Sequence, residues 1–130
     1  MSHYNVIHTE DDDSTVEYVG NNSRKQGLTY HNANSLNSLE SLLLDNSADV
    51  WLVDGKFAVE KGALVEYLAP QAIQKIRERY PLARIPLYSG EDNIDKKAAE
   101  YGVDFFRKGK VSAREIVENI KKMIGEQLQV

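Results

Sequence analysis

The sequence contains no cysteine, which excludes disulfides, thiol nucleophiles and thiolate metal sites together. Prolines number only three, and no apolar run approaches the length of a membrane-spanning helix. The amino terminus lacks the basic flank and apolar stretch of a secretory signal. Basic residues are outnumbered, with 16 Lys and Arg against 20 Asp and Glu. We therefore expect a soluble, cytoplasmic protein that does not bind membranes and does not bind nucleic acid directly.

Segments of strand length alternate with segments of helical periodicity along the whole chain. Strands are predicted at 4–9, 28–31, 50–53, 85–88 and 103–107. Helices are predicted from about Val16 to Gly27, from Leu36, over 62–80 with a break at Pro70, over 93–101, and from Ser112. At 130 residues the chain has the usual size of one domain. The alternation predicts a single α/β domain over 1–130, with an open, doubly wound, five-stranded parallel sheet between two helix layers.

Polar side chains end four of the predicted strands. Four consecutive acids at 10–13 follow the first strand, Asp54 follows the apolar third strand, and Ser89 and Lys108 close the fourth and fifth. The carboxyl ends of parallel strands meet at one edge of a sheet, so these groups converge in one crevice. Taken singly, the acids could be a solvated turn, Ser89 a turn residue and Lys108 a surface charge. Together they are what a magnesium-dependent phosphoryl acceptor needs, with Asp54 as the acceptor and Lys108 as a point charge on the transferred group.

The same segments resemble the receiver domain of bacterial-type response regulators. Asp-Asp-Asp-Ser-Thr-Val at 11–16 is similar to that family's acidic opening, and Leu-Val-Asp at 52–54 to its phosphoacceptor strand. Leu-Tyr-Ser-Gly at 87–90 is similar to its hydroxyl-bearing strand end, and Tyr-Gly-Val-Asp-Phe-Phe-Arg-Lys at 101–108 to its closing segment. The resemblance implies the flavodoxin-like receiver fold with strand order 2-1-3-4-5.

The resemblance also implies a function in two-component signalling. A sensor histidine kinase or a phosphotransfer protein in a phosphorelay would pass a phosphoryl group from phosphohistidine to Asp54, with Mg²⁺ as cofactor. The chain would be a stand-alone signalling module that acts on a downstream protein target by contact. It would not be an enzyme beyond its own phosphorylation and autodephosphorylation. Ser89 would bind the phosphoryl group and move, and Phe105 would be the family's rotating aromatic.

The resemblance leaves open which acids hold the metal besides Asp54 and a backbone carbonyl near Lys56. Alignment by strand length gives Glu10 with Asp11. Alignment by the following helix gives Asp11 with Asp12, and we favour this pair because it keeps the apolar face of that helix in the core. The histidines at 3, 8 and 31 lack metal-ligand spacing, so strand-edge or surface positions are expected for them.

Three departures from the family pattern bear on function. Gly109 stands where the family usually has a proline, residues 55–69 form an insertion, and the segment from Ser89 to Lys108 is about one helical turn short. Lys56 and Glu91 are expected to form an ion pair over the pocket that slows attack of water on the phosphoaspartate.

These departures motivate an alternative function, that of a pseudo-receiver acting as a non-phosphorylated protein-interaction module. A third hypothesis is a hydrolase of small phosphoesters that uses the same aspartate. Such phosphatases usually carry a second carboxylate two residues later, and Lys56 occupies that position here.

Overall fold

A computed structural model describes residues 4–128, in which short strands alternate with helices. The strands are β1 (Asn5–Thr9), β2 (Thr29–Ala33), β3 (Val50–Asp54), β4 (Lys56–Ala58), β5 (Val65–Tyr67), β6 (Leu87–Ser89) and β7 (Phe105–Arg107). The helices are α1 (Asp13–Lys25), α2 (Leu36–Asp45), α3 (Ala69–Arg79), α4 (Ile94–Tyr101) and α5 (Ala113–Leu128). Within this part of the chain, no helix combines the length and the apolar character needed to cross a membrane.

The main sheet has five parallel strands in the order β2-β1-β3-β6-β7. Because β4 and β5 pair only with each other, β6 and β7 are the fourth and fifth strands of this sheet. The predicted order 2-1-3-4-5 and the doubly wound α/β fold are therefore confirmed. Strand register also aligns the carboxyl ends, since Thr9 lies opposite Val53 and Ser89 lies opposite Arg107.

Two apolar layers enclose the sheet. All five residues of β3 are buried, as expected for a central strand covered on both faces. One layer packs Trp51 and its neighbours against α2 and α3, and the other packs Val6, Leu52 and Phe106 against α1 and α5. Trp51 and Phe106 both belong to the core.

The first helix begins three residues earlier than predicted. Asp12 is its N-cap, and Asp12 Oδ2 accepts hydrogen bonds from the Thr15 backbone N at 3.0 Å and from Thr15 Oγ1 at 2.6 Å. The helix continues through Gly20 without a break, and the bare Cα of Gly20 leaves room for the ring of Tyr30. An added Cβ there would lie 3.0 Å from Tyr30 Cε1.

The insertion forms an antiparallel hairpin, β4 with β5, rather than the beginning of a helix. The predicted start of a helix at residue 62 is wrong, since Leu64 lies in the hairpin loop with 81 % of its surface exposed. α3 starts only at Ala69, and Pro70 lies in its first turn, where the missing N–H has no intrahelical partner to lose. This hairpin, residues 56–67, stands beside the end of β3.

Candidate functional site

The carboxyl ends of β1, β3, β6 and β7 surround a cleft of about 420 Å³. Every residue predicted for the site except Phe105 lines it, together with three neighbours: Glu10, Asp11, Asp12, Asp54, Lys56, Ser89, Gly90, Glu91 and Lys108. The predicted convergence of strand ends is therefore confirmed as geometry. The contacts of each residue decide what it can do chemically.

Lys108 joins two buried carboxylates at the floor of the cleft. Its Nζ lies 3.0 Å from Asp54 Oδ1 and 3.0 Å from Glu10 Oε1. Asp54 is 5 % exposed and Glu10 is fully buried. The backbone N of Lys108 donates to the Ser89 carbonyl at 3.0 Å, which fixes the lysine relative to β6. The ammonium therefore contacts both carboxyl groups at once.

Glu10 is the most perturbed of these groups. Burial, followed by the hydrogen bond and the negative charge of Asp54, raises the pKa of Glu10 to about 9. Burial alone would lower the pKa of Lys108, but the charges of Asp54 and Glu10 outweigh it and raise that pKa. Two carboxyl groups share one ammonium here, and the raised pKa of Glu10 means that it holds a proton at neutral pH, which a bound cation would displace.

Carboxylate oxygens of Glu10, Asp11 and Asp54 lie within 4.8 Å of one another. Asp12 lies at the edge of the cleft, but its carboxylate caps α1, and its hydrogen bonds to Thr15 lower the pKa of Asp12. The structure thus brings Glu10 and Asp11 beside Asp54, whereas the favoured sequence alignment paired Asp11 with Asp12. The side chain of Asp12 is already engaged in holding the helix.

Ser89 is buried at the end of β6, in the same cleft as Asp54, and has little free space. The Glu91 backbone N donates to Ser89 Oγ at 3.3 Å. An added Cβ on Gly55 would lie 2.8 Å from Ser89 Oγ, so Gly55 is needed for the two strand ends to approach. At Gly90, by contrast, an added Cβ would meet only Lys108 Cβ at 3.6 Å, which leaves the side of the cleft open.

A charged clasp joins the hairpin to α4 above the cleft. Lys56 Nζ lies 3.4 Å from Glu91 Oε1, so the predicted ion pair is confirmed, and Lys97 Nζ lies 2.8 Å from Glu91 Oε2. These two contacts lower the pKa of Glu91, the larger contribution coming from Lys97. Lys97 also stands over the ring of Tyr67, 3.7 Å from its centroid. Glu91 thus ties β4 and β5 to α4.

The remaining two predicted features lie away from the cleft floor. Phe105 is 40 % exposed on β7, where it lines a groove of about 460 Å³ between α4 and α5. Gly109 has a φ of +83°, in the left-handed region, where a proline cannot stand. The turn after Lys108 is therefore built differently from the turn that a proline would set.

One buried polar group was missed by the sequence reading. His8 is fully buried in β1, not at an edge or on the surface, and burial and the charge of Lys108 lower its pKa to about 3. Its Nδ1 lies 2.7 Å from the Tyr30 hydroxyl. The alternation of side chains along β1 offered a signal, since His8 lies on the same face of the strand as Val6, the face that packs against α1 and α5. His31 is half-buried, and His3 lies outside the described residues.

Comparison with known proteins identifies the fold. No model of a known protein family matches the sequence, and no curated protein matches it. Solved structures that share the fold are response regulator receiver domains. One from Methanospirillum hungatei is 16 % identical with a TM-score of 0.81, and the match covers 98 % of both chains. A chemotaxis response regulator of Vibrio cholerae is 15 % identical with a TM-score of 0.77, over 94 % of this chain and 99 % of that one.

The same fold also occurs as part of a longer chain. NtrX from Brucella abortus is 18 % identical with a TM-score of 0.77, and the match covers 98 % of this chain but 29 % of that one. Residues 4–128 therefore have the receiver fold, with an inserted hairpin beside the third strand.

Proposed function

We propose that this chain is a response regulator receiver domain in which Asp54 accepts a phosphoryl group in the presence of Mg²⁺. The observation that carries the proposal is the placement of the Lys108 ammonium 3.0 Å from both Asp54 Oδ1 and Glu10 Oε1 at the end of the central strand. The donor would be the phosphohistidine of a sensor histidine kinase or a phosphotransfer protein. The phosphorylated state would be passed on to a downstream protein by contact.

The transfer needs a nucleophile and a way to lower repulsion between anions. An oxygen of Asp54 forms a bond to phosphorus while the bond from phosphorus to the donor's imidazole nitrogen breaks, and that nitrogen keeps the electron pair. Lys108 then turns its ammonium to an oxygen of the transferred group, because that group carries more negative charge than Asp54 did. Ser89 donates its hydroxyl proton to a second phosphoryl oxygen.

The donor set at this site fits Mg²⁺. Glu10 Oε1 is buried and lacks a well-aligned hydrogen bond within residues 4–128, and three carboxylate oxygens from separate residues lie within 4.8 Å. Hard oxygen ligands of this kind suit Mg²⁺, which would supply positive charge to the phosphoryl oxygens. Glu10, Asp11 and Asp54 would hold the ion, with the Lys56 backbone carbonyl as the further ligand that the resemblance implies.

Ligand assignment can be tested by Mg²⁺ affinity in matched variants. Glu10→Gln and Asp11→Asn remove a charge from the clustered carboxylates, and each should weaken Mg²⁺ binding by tenfold or more. Asp12→Asn keeps an oxygen that can cap α1 and should bind Mg²⁺ nearly as wild type does. Weaker binding in Asp12→Asn than in Glu10→Gln would return the assignment to the pair Asp11 and Asp12.

Phosphorylation can be tested by intact mass. The protein is incubated with a small-molecule phosphodonor such as acetyl phosphate, with Mg²⁺ or with a chelator. One added phosphoryl group in wild type, lost in Asp54→Asn and in chelator, is the expected result. Asp54→Asn is close in shape to the native side chain, so the variant removes the nucleophile and leaves the fold. An equal yield in Asp54→Asn would refute the proposal.

The pseudo-receiver is the second candidate, and the clasp is the observation that favours it. Lys56, Glu91 and Lys97 draw the hairpin over one side of the cleft, which narrows the route of a donor to Asp54. In this case the mass experiment would show no labelling of wild type with any donor. Continuous release of inorganic phosphate would instead indicate the hydrolase.

A further inference from the structure

His8 carries an unused hydrogen-bonding atom directly below the candidate cation site. The side chain is fully buried, and its Nε2 has no hydrogen-bond partner within residues 4–128. The atom that it faces is Glu10 Oε1, 3.9 Å away, too far for a hydrogen bond. A valine or leucine in β1 would avoid a buried polar atom of this kind, so the free Nε2 calls for a hydrogen-bond partner that it does not have in this arrangement of residues 4–128.

The hydroxyl of Tyr30 lies against one of the two ring nitrogens of His8. The two groups lie 2.7 Å apart, and burial raises the pKa of Tyr30, so the hydroxyl keeps a proton that it can donate to Nδ1. In the tautomer in which Nδ1 accepts this hydrogen bond, the neutral imidazole carries its own proton on Nε2, the nitrogen that faces Glu10. Gly20 holds this arrangement in place by admitting the Tyr30 ring against α1.

Lys108 contacts Glu10 Oε1 in this structure, but in the proposed reaction its ammonium moves to the phosphoryl group. Its Nζ lies 3.0 Å from Glu10 Oε1 and from Asp54 Oδ1, and it would turn to the phosphoryl group after transfer. Glu10 Oε1 would then lose its cationic neighbour in a fully buried place. Of the groups placed around that oxygen, the Nε2–H of His8 faces it without a partner of its own.

We infer that His8 is a positioning residue for Glu10: its Nε2–H becomes the hydrogen-bond donor to Glu10 Oε1 when Lys108 turns to the phosphoryl group. This inference rests on the proposed function. Outer partners of this kind fix the orientation of a metal ligand, and their loss typically weakens metal binding ten- to a hundredfold. His8 would thus hold Glu10 on the cation through the phosphorylated state, without contacting the phosphoryl group.

The protonated nitrogen of His8 can be read by NMR of the full chain with ¹⁵N-labelled histidine. The signals are assigned with His8→Gln and His31→Gln. In the cation-free protein, we expect a neutral His8 with its proton on Nε2. After addition of Mg²⁺ and beryllofluoride, a mimic of the phosphoryl group, we expect the Nε2–H proton resonance to move downfield as the hydrogen bond forms. A proton on Nδ1, or an unmoved resonance in the loaded protein, would overturn the inference.

Mg²⁺ affinity in the presence of beryllofluoride gives a second readout. His8→Leu should weaken binding about tenfold, Tyr30→Phe by less, and His8→Gln, which restores an N–H donor, should recover part of the loss. His31→Gln on the neighbouring strand is the control and should bind as wild type does. Wild-type affinity in His8→Leu would overturn the inference, provided that thermal unfolding shows a folded protein. Tyr30→Phe keeps the ring against α1, so it tests the same point if His8→Leu does not fold.

The proposed function and the inference about His8 would be refuted by different results. A wild-type protein that takes up neither Mg²⁺ nor beryllofluoride would refute the proposed function and this inference together. A wild-type protein that takes up both while the His8 signals and the His8→Leu affinity stay unchanged would refute the inference alone.

Discussion

Replacing Gly55 by alanine tests how closely the end of β3 must approach Ser89. An added Cβ would lie 2.8 Å from Ser89 Oγ, 3.1 Å from Ser89 Cβ and 3.4 Å from Tyr67 Cε1. The hydroxyl could rotate away, but Ser89 Cβ is fixed by a backbone whose carbonyl accepts a hydrogen bond from Lys108. The strand end must therefore shift, and overpacking of this kind costs about 1–3 kcal/mol of unfolding free energy.

A matched glycine elsewhere in the chain gives the control. Gly125 lies inside α5 with open space around its Cα, so Gly125→Ala should stabilise the protein by about 0.5–1 kcal/mol. Urea unfolding of the three proteins would give midpoints in the order Gly55→Ala, wild type, Gly125→Ala, with similar slopes. Gly55→Ala should also be phosphorylated more slowly, because it displaces the Ser89 hydroxyl. A Gly55→Ala midpoint at or above that of wild type would refute the packing argument.

Three further predictions follow from the clasp, the buried acid and the turn after the lysine. Lys56→Ala should speed loss of the phosphoryl group several-fold, because it removes the ion pair with Glu91 over the cleft. It should change the free energy of unfolding by less than about 1 kcal/mol, because Lys56 is 61 % exposed. Equal dephosphorylation rates in the variant and wild type would dismiss shielding by the clasp. Folding raises the pKa of Glu10. The protonated Glu10 therefore contributes fully to stability at a pH below the pKa of glutamate in the unfolded chain, and this contribution is lost as the pH rises through about 9. The thermal unfolding temperature of the cation-free protein should therefore fall from pH 5 to pH 9, and by more than it falls in Glu10→Gln. Over the same range the affinity for Mg²⁺ should rise. Gly109→Ala should cost about 1–2 kcal/mol in urea unfolding because its φ is +83°, and no loss would contradict the left-handed turn.

The fold could be predicted because several independent patterns agree. The apolar run at β3 marks a strand buried on both faces, and strands that alternate with helices require parallel pairing. Ser35 caps α2, and Ser112 with Glu115 forms a capping box before α5. Once the sheet is parallel, its strand ends must converge, so the contents of the cleft followed from the sequence as well.

The inserted hairpin could not be predicted because its pattern was ambiguous. Leu64 and Leu68 keep helical spacing with the residues of α3, and periodicity alone does not show that one of them is exposed in a loop. Gly62 has a φ of +88°, the conformation that turns the chain between β4 and β5. A glycine in a predicted helix was therefore the available sign of a turn.

Strand register explains why Glu10 rather than Asp12 lies beside Asp54. Val6 pairs with Val50 and His8 with Leu52, so continuing the same step places Glu10 level with Asp54. Side chains alternate along a strand, and these residues all point to the face that α1 and α5 cover. The position of the apolar face of α1 had favoured Asp12 as a metal ligand. A helix, however, can begin a residue earlier or later without cost when a good cap is present. A strand cannot slip by one residue without turning its core face to solvent. Register thus decides which acid lies beside Asp54, and it places His8 one step below Glu10, where its Nε2 faces the Glu10 carboxylate.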